Sequence, residues 1–406
     1  MHASRKARHE RVISINAKIV RNINRALILN TIRERQPIPR AKIAEITNLN
    51  KSTVSSIVAS LIQEELLTEE AQRGRTIGRT PINLRLRSGR HLVGAIAFDP
   101  AATRLAVVDI DGAIKHTMEL PTEPGQPEAF ITRCFRELLA LRKRHHIPPL
   151  RGIGITVAGI VDPAQCKVVF APNLGWEDID LLALAHSCCP EIELITCAND
   201  AKASALAELW FGTHDINLSN FVFLSVGRGI GTGIVIDKRV ITGEAHAAGE
   251  FGHMTLIEGG EACMCGNRGC WETYASDRAT VRRYLITRGL DPAQASLRML
   301  DDIIESAKQN EPLALETLRQ TGEYLGLGIS TIIKAVDPDA IVVGGRVTQV
   351  WDTIYPAIMS VVSQRIFPRT QRRTAILPTS LQERPTMLGG AALAIRQFFT
   401  GFRVTL

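Results

Sequence analysis

The sequence has no long hydrophobic run and few aromatic residues. Its 406 residues are 45% hydrophobic, 22% charged and only 5% aromatic, which is typical of globular domains rather than of disordered or fibrous chains. No apolar stretch reaches the roughly 18 residues that a membrane-spanning helix requires. The Arg-rich start lacks the apolar core of a secretory signal, although its composition leaves a transit peptide open. We therefore expect a cytoplasmic protein of about two to four domains, without membrane contact.

Aspartate is absent from the first 90 residues, and basic residues predominate there. This segment has 4 Lys and 14 Arg against 7 Glu, a formal charge of +11, whereas the rest of the chain has 30 basic and 34 acidic residues, a charge of −4. A basic segment of this kind usually meets a polyanion. The alternative is a solvated basic tail.

The spacing of apolar residues in the basic segment predicts three helices. One helix fits residues 22–35 and ends before Pro37, and a short second helix fits 40–47. Asn50 is suited to cap a third helix, in which apolar residues between 54 and 62 form one stripe. The opposite face of that helix is short and polar, as in helices that enter the major groove.

Two strands, 66–71 and 82–87, flank a basic, Gly-containing loop after the third helix. Together with the helices, this order predicts a winged helix-turn-helix (α+β) DNA-binding domain over residues 1–90. A helical domain that docks another protein is the alternative. The candidate DNA-contacting residues are Arg40, Lys51, Ser52, Thr53, Ser55, Ser56, Arg73, Arg75 and Arg79.

Cysteine is scattered along the chain except for one cluster. Three of the eight cysteines, Cys263, Cys265 and Cys270, lie within eight residues and follow His253 closely. One imidazole and three thiolates suit tetrahedral zinc, and a site closed by four protein ligands is structural rather than catalytic. We therefore predict a structural Zn²⁺ site over 253–270, with free buried cysteines as the alternative.

From residue 91 onward, strand-like and helical stretches alternate, so residues 91–406 are predicted to form an α/β body. This region resembles the ROK family (repressors, open reading frames and sugar kinases), and the similarity covers roughly residues 92–400. The resemblance rests on the stretches 158–162 (AGIVD), 171–176 (APNLGW), 199–201 (NDA), 224–235 (LSVGRGIGTGIV), 249–253 (GEFGH), 263–272 (CMCGNRGCWE) and 337–345 (DPDAIVVGG).

The resemblance implies a two-lobed α/β body of the hexokinase and actin-like ATPase fold that binds a sugar. By motif match, the residues that hydrogen-bond sugar hydroxyls are Asn199, Asp200, Glu250, His253 and Glu272. In the family's kinases, the aspartate that corresponds to Asp200 is the base for the phosphate-accepting hydroxyl. Gly159 and Asn173 are weaker candidates, and Asn173 is equally well explained as a turn residue.

The first phosphate-binding loop departs from the family pattern. Where the kinases have Asp-x-Gly-Gly-Thr, this sequence has Pro100, Ala101 and Ala102 between Asp99 and Thr103. Side chains obstruct the close approach of a phosphate, and proline lacks a backbone N–H. We therefore expect no kinase activity, although the second loop keeps most of its glycines.

These observations favour a sugar-responsive DNA-binding transcriptional regulator. The resemblance implies a repressor of carbohydrate uptake or catabolism genes that a sugar or sugar phosphate releases from its operator. An inverted-repeat operator and a homodimer or homotetramer are expected, because a two-fold dimer presents two recognition helices to two half-sites. The alternatives are an ATP-dependent sugar kinase with an added DNA-binding domain and a zinc-stabilised scaffold with a vestigial pocket.

Overall fold

The computed structural model describes residues 17–71, 82–216, 218–367, 374–382 and 384–400. The chain forms two compact units. The first contains the residues up to Arg90 together with those from Arg396 onward, and the second spans His91–Ile395. In the ranges given above, no helix is both long and apolar enough to cross a bilayer.

The first unit combines helices with a three-stranded antiparallel sheet of order β1-β3-β2. Its elements are α1 (Ala17–Arg35), β1 (Ile38–Pro39), α2 (Arg40–Thr47), α3 (Lys51–Gln63), β2 (Leu67–Ala71) and β3 (Ile82–Leu86). The predicted helices and both predicted strands are confirmed, although α1 begins at Ala17 rather than at residue 22. The two-residue strand β1 was not predicted.

The third helix of this unit starts at the predicted cap and buries most of the predicted stripe, with Ile62 half-buried at its end. The Asn50 side chain accepts a hydrogen bond of 2.7 Å from the backbone N–H of Thr53, which satisfies a donor that the helix leaves free. The apolar residues of α3 that lie in the core are Val54, Ile57, Val58 and Leu61. The polar face of α3 is therefore left on the outside.

Residues from the end of the described chain complete the first unit. The Arg25 guanidinium donates to the Phe398 carbonyl at 3.3 Å, and the Asn30 amide donates to the Phe399 carbonyl at 3.2 Å. The Phe399 ring is 1% exposed and lies 6.0 Å from the Arg33 guanidinium. The α1 helix is thus stabilised by contacts that span most of the sequence.

The second unit contains two five-stranded sheets, of order β11-β7-β4-β5-β6 and β14-β13-β12-β15-β16, and a small sheet of order β10-β9-β8. The strands are β4 (Leu92–Phe98), β5 (Ala102–Asp109), β6 (Ile114–Pro121), β7 (Ile153–Val157), β8 (Ile160–Asp162), β9 (Lys167–Ala171), β10 (Trp176–Asp180), β11 (Ile195–Asn199), β12 (Phe221–Val226), β13 (Ile230–Ile236), β14 (Arg239–Val240), β15 (Ala340–Gly344) and β16 (Ala375–Pro378).

Helices cover these sheets and build a separate apolar core on each. The helices are α4 (Pro127–Arg144), α5 (Leu181–Cys188), α6 (Asp200–Phe211), α7 (Glu272–Ala275), α8 (Asp277–Thr287), α9 (Arg298–Lys308), α10 (Pro312–Val336), α11 (Trp351–Arg365) and α12 (Pro385–Phe399), with short 3₁₀ turns at Phe251–His253, Pro292–Gln294 and Arg346–Val350. The α/β body predicted from the sequence is confirmed.

The two large sheets have the same connectivity. In each, a central strand, β4 or β12, pairs antiparallel with the next strand and parallel with a later one. Each central strand therefore ends in a hairpin, with tips at 99–101 and 227–229. The helix α6 starts directly where β11 ends, so Asn199 and Asp200 lie at a strand-to-helix junction.

Candidate functional site

The junction of β11 and α6 positions two of the predicted sugar-binding residues. The Asn199 side chain accepts from the Lys202 N–H at 3.1 Å and donates to the Gly159 carbonyl at 3.0 Å. Asn199 is therefore the cap of α6 and also fixes the loop that contains Gly159. Asp200 follows as the first helical residue, and its carboxylate accepts from the Ala201 N–H at 2.9 Å.

Asp200 lies in an environment that favours its protonated form. Burial raises the pKa of Asp200 to about 7, and the nearby carboxylates of Asp99 and Glu250 add to the shift. A desolvated carboxylate beside two others is costly to ionise. Pairs of hydroxyl groups are suitable partners, because they donate hydrogen bonds without bringing a further charge.

Lys202 was missed by the sequence analysis, because a lone lysine in a helix is normally solvated. Here it is 5% exposed, and its ammonium group donates to the His246 carbonyl at 2.6 Å. Burial lowers the pKa of Lys202, against the opposing effect of Glu250 and Asp200. The lysine thus ties α6 to the loop that precedes Glu250 and places a positive charge near two carboxylates.

The loop after β14 carries Glu250 and His253. The Thr232 hydroxyl donates to the Gly249 carbonyl, which fastens this loop to the sheet. Glu250 is exposed, and His253 lies in the 3₁₀ turn that follows it.

The side chains of His253, Cys263, Cys265 and Cys270 converge. Each residue offers one donor atom, and these four atoms lie within 4.8 Å of one another. The Cys263 sulfur is 3.6 Å from His253 Nδ1, and the Cys265 and Cys270 sulfurs are 3.7 Å apart. The cluster predicted from spacing is therefore brought together and could hold one metal ion.

A tight turn around Gly269 closes this cluster. Gly269 has φ +74°, and a Cβ there would lie 1.7 Å from the Ile257 carbonyl oxygen, so only glycine fits. The adjoining Trp271 is fully buried, and its indole N–H donates to the Tyr324 carbonyl at 2.7 Å. The cluster is thus anchored to α10.

Glu272 connects the Cys/His cluster with the second hairpin tip. One carboxylate oxygen is 3.0 Å from the Cys263 sulfur, and the other accepts from the Ile230 N–H at 3.3 Å. A Cβ on Gly229 would approach that second oxygen to 2.4 Å, so the glycine permits the contact. Glu272 is therefore in direct contact with one of the predicted metal ligands.

Two neighbouring cavities border these residues. The larger, of about 770 Å³, is lined by both hairpin tips and by Asp200. The smaller, of about 230 Å³, is lined by Glu272 and Asn173. Arg228 lines both cavities, whereas Asn199, Glu250 and His253 line neither. The five predicted sugar-binding residues therefore do not all line one cavity.

Local hydrogen bonds hold the first hairpin tip. Pro100 has no N–H, and the Ala101 N–H donates to the Asp99 carboxylate at 2.8 Å. The Asp99 carbonyl accepts from the Thr122 hydroxyl at 2.6 Å. The carboxylate and the carbonyl of Asp99 thus both accept hydrogen bonds from nearby residues.

The candidate DNA-contacting residues of α2 and α3 are placed as follows. Lys51, Ser52 and Ser56 are exposed, and Thr53 and Ser55 are half-buried on the same helix. The Ser52 hydroxyl donates to the Asn50 side chain at 2.8 Å. In α2, Arg40 forms an ion pair of 2.7 Å with Glu69. Arg73, Arg75 and Arg79 lie outside the described residues.

Two known protein families match different parts of the chain. A profile of the ROK family matches residues 95–397, and one of the MarR family matches residues 22–72. The xylose repressor of Bacillus spizizenii is 34% identical over 389 residues, which cover 93% of this chain and 96% of that protein.

Two solved structures are also similar. A ROK family transcriptional regulator, described as a homolog of the E. coli MLC protein, matches with TM-score 0.79 and 25% identity over 94% of this chain and 97% of its own. A ROK family glucokinase from Streptomyces griseus, solved with glucose and AMPPNP, matches with TM-score 0.66 and 27% identity. The glucokinase match covers 75% of this chain and 99% of the glucokinase chain.

Proposed function

The chain belongs to the ROK family, and we propose on this basis that a sugar bound in the second unit releases the first unit from operator DNA. The fold expected from the sequence, a winged helix-turn-helix followed by a two-lobed hexokinase and actin-like body, is confirmed. The chain is a sugar-responsive transcriptional repressor.

One observation carries this conclusion. The similarity to a repressor extends over 93% of the chain, whereas the similarity to a glucokinase covers 75% of it. The winged helix matched by the MarR profile lies before the region that the ROK profile matches. The operator is double-stranded DNA with an inverted repeat, and the protein acts in the cytoplasm as a homodimer or homotetramer.

The residues proposed to bind the sugar are Asn199, Asp200, Glu250, His253 and Glu272. Their carboxylates and amide are the acceptors that neighbouring hydroxyls need. Xylose is the first sugar to test, because a xylose repressor is similar along nearly the whole chain. The genes that the protein represses are those for carbohydrate uptake or catabolism.

The Cys/His cluster is proposed to hold a structural Zn²⁺. Two sulfurs at about 2.3 Å from a tetrahedral zinc ion are about 3.8 Å apart, close to the 3.7 Å between Cys265 and Cys270. All four ligands come from the protein, so zinc supplies structure rather than a reactive water. Through His253 and the neighbouring Glu272, the cluster would hold two sugar-binding groups in place.

Kinase activity is not proposed. At the first hairpin tip, Pro100 has no N–H and the Ala101 N–H donates to the Asp99 carboxylate, which supports a loss of phosphate binding. A test is incubation of the purified protein with labelled ATP and xylose or glucose, beside calorimetry with the same sugars. We expect sugar binding without formation of labelled sugar phosphate. Repeated formation of labelled sugar phosphate would favour the sugar kinase.

Sugar affinity should depend on pH through Asp200. Because the pKa of Asp200 is raised to about 7, the carboxylate form that accepts sugar hydroxyls is lost as the pH falls. Affinity should therefore decline by up to about tenfold per pH unit below that value. Calorimetry with xylose checks this, with Asp200→Asn as the control, which should remove the dependence. A slope unchanged in this variant would assign the titration to another group.

Operator recognition should depend on the start of α3. Replacing Lys51, Ser52 and Thr53 together by alanine should lower the preference for operator over bulk DNA by about tenfold or more, since direct base contacts are lost. Fluorescence anisotropy with both DNAs measures this. Lys42→Ala on α2, an exposed lysine paired with Glu45, is the matched control. An unchanged preference in the triple variant would show that α3 does not read the bases.

A further inference from the structure

The smaller cavity, next to Glu272, is unusually rich in arginine. It lies between the hairpin tip at 227–229 and the first turn of α8, and its volume is about 230 Å³. Three guanidinium side chains line it, those of Arg228, Arg278 and Arg282, against one carboxylate, Glu272.

Two of these arginines have no ionic partner among the residues that the structure describes. Arg282 forms an ion pair of 2.8 Å with Glu261. Arg228 and Arg278 are exposed, and neither forms an ion pair within the described ranges. Two unpaired guanidinium groups facing one cavity leave it with a net positive charge, a setting that favours a phosphate.

In the larger cavity, carboxylates outnumber the basic side chains that have no ion pair among the described residues. The carboxylates of Asp99, Asp200 and Asp277 line it, and Asp277 is 5% exposed with one oxygen that accepts no hydrogen bond in the described part of the chain. Five basic side chains also line it. Three of these are held in ion pairs, Arg104–Glu119, Lys115–Asp109 and Arg346–Asp301, which leaves Arg228 and Arg384 to face the three carboxylates. A phosphate is therefore accommodated better beside Glu272 than beside Asp200.

We propose that the effector is a phosphorylated sugar whose phosphate binds between Arg228 and Arg278. This inference rests on the proposed function, because it extends the sugar site past Glu272. Asp200 faces the other cavity, and it corresponds to the base that acts on the accepting hydroxyl in the family's kinases. The phosphate of the effector therefore lies on a different carbon from the one that those kinases phosphorylate.

The test is calorimetry on the full-length, zinc-loaded protein with five ligands: xylose, xylose 1-phosphate, glucose, glucose 1-phosphate and glucose 6-phosphate. A 1-phosphate should bind about tenfold or more tightly than its free sugar, because charged hydrogen bonds are added. Glucose 6-phosphate should gain no such advantage. Arg278→Gln should reduce the advantage of the 1-phosphate, Arg278→Lys should keep part of it, and Arg288→Gln, an exposed arginine at the end of α8, should keep all of it.

The outcomes separate this proposal from the proposed function. If the free sugars bind and release the operator but the 1-phosphates bind no better, the phosphate site is contradicted and the repressor function stands. An equal advantage for glucose 6-phosphate, or an advantage that survives in Arg278→Gln, would also contradict it. If none of the five ligands binds, the sugar response itself is contradicted together with the phosphate site.

Discussion

Replacing Asp200 by alanine is expected to abolish release of operator DNA by sugar at concentrations that release the unmodified protein. The carboxylate is desolvated, and its two backbone donors, the N–H groups of Ala201 and of Asp200 itself, leave part of its roughly four acceptor positions unused. It is therefore available to accept hydroxyl groups. Loss of such a charged acceptor should weaken sugar binding by about 100-fold.

Operator affinity without sugar should stay within about twofold, because Asp200 belongs to the second unit and the winged helix belongs to the first. Calorimetry gives the sugar affinity, and anisotropy with labelled operator gives the DNA affinity. Asp302→Ala, which removes an exposed carboxylate from α9, is the matched control. If Asp200→Ala responded to sugar as the unmodified protein does, Asp200 would not belong to the sugar site.

Replacing Cys265 by serine should release zinc and weaken the sugar response together. Cys265 is the exposed member of the cluster, so the substitution itself leaves no cavity in the core. Structural zinc sites contribute several kcal/mol to folding, and the temperature of unfolding should fall by about 10 °C. The sugar response should weaken as well, because His253 and Glu272 lose the zinc ion that fixes them.

Three measurements test this prediction. Atomic emission gives the metal content, calorimetry gives the temperature of unfolding, and anisotropy gives the release of labelled operator by sugar. Cys188→Ser, a half-buried cysteine outside the cluster, should change none of them. A normal sugar response in zinc-free Cys265→Ser would contradict the link between the metal and the sugar site. Full zinc content in this variant would remove Cys265 from the ligand set.

Local patterns were enough to predict the winged helix and the Cys/His cluster. The stripe of α3 and the cap at Asn50 depend only on neighbouring residues, and the three cysteines lie within eight positions of one another. The strand β1 escaped prediction, because it is two residues long and pairs with β3, far along the chain. Nothing local to Ile38 signals that pairing.

Long-range packing explains what else could not be predicted. Phe398 and Phe399 bind α1 of the first unit through their carbonyl groups, which no local pattern reveals. The burial of Lys202 and of Asp277 depends on loops from distant parts of the chain. The positions of the sugar-binding residues were inferred from a family resemblance, since their side chains lie on separate loops.

The central claim is that one molecule couples a sugar to operator DNA. The most direct test is selection of genomic fragments by the zinc-loaded protein at near-physiological salt, followed by competition on the best fragment with free and phosphorylated sugars. We expect a fragment with an inverted repeat that one sugar class releases. Binding with no preference over bulk DNA, or an operator complex that no sugar affects, would contradict the account.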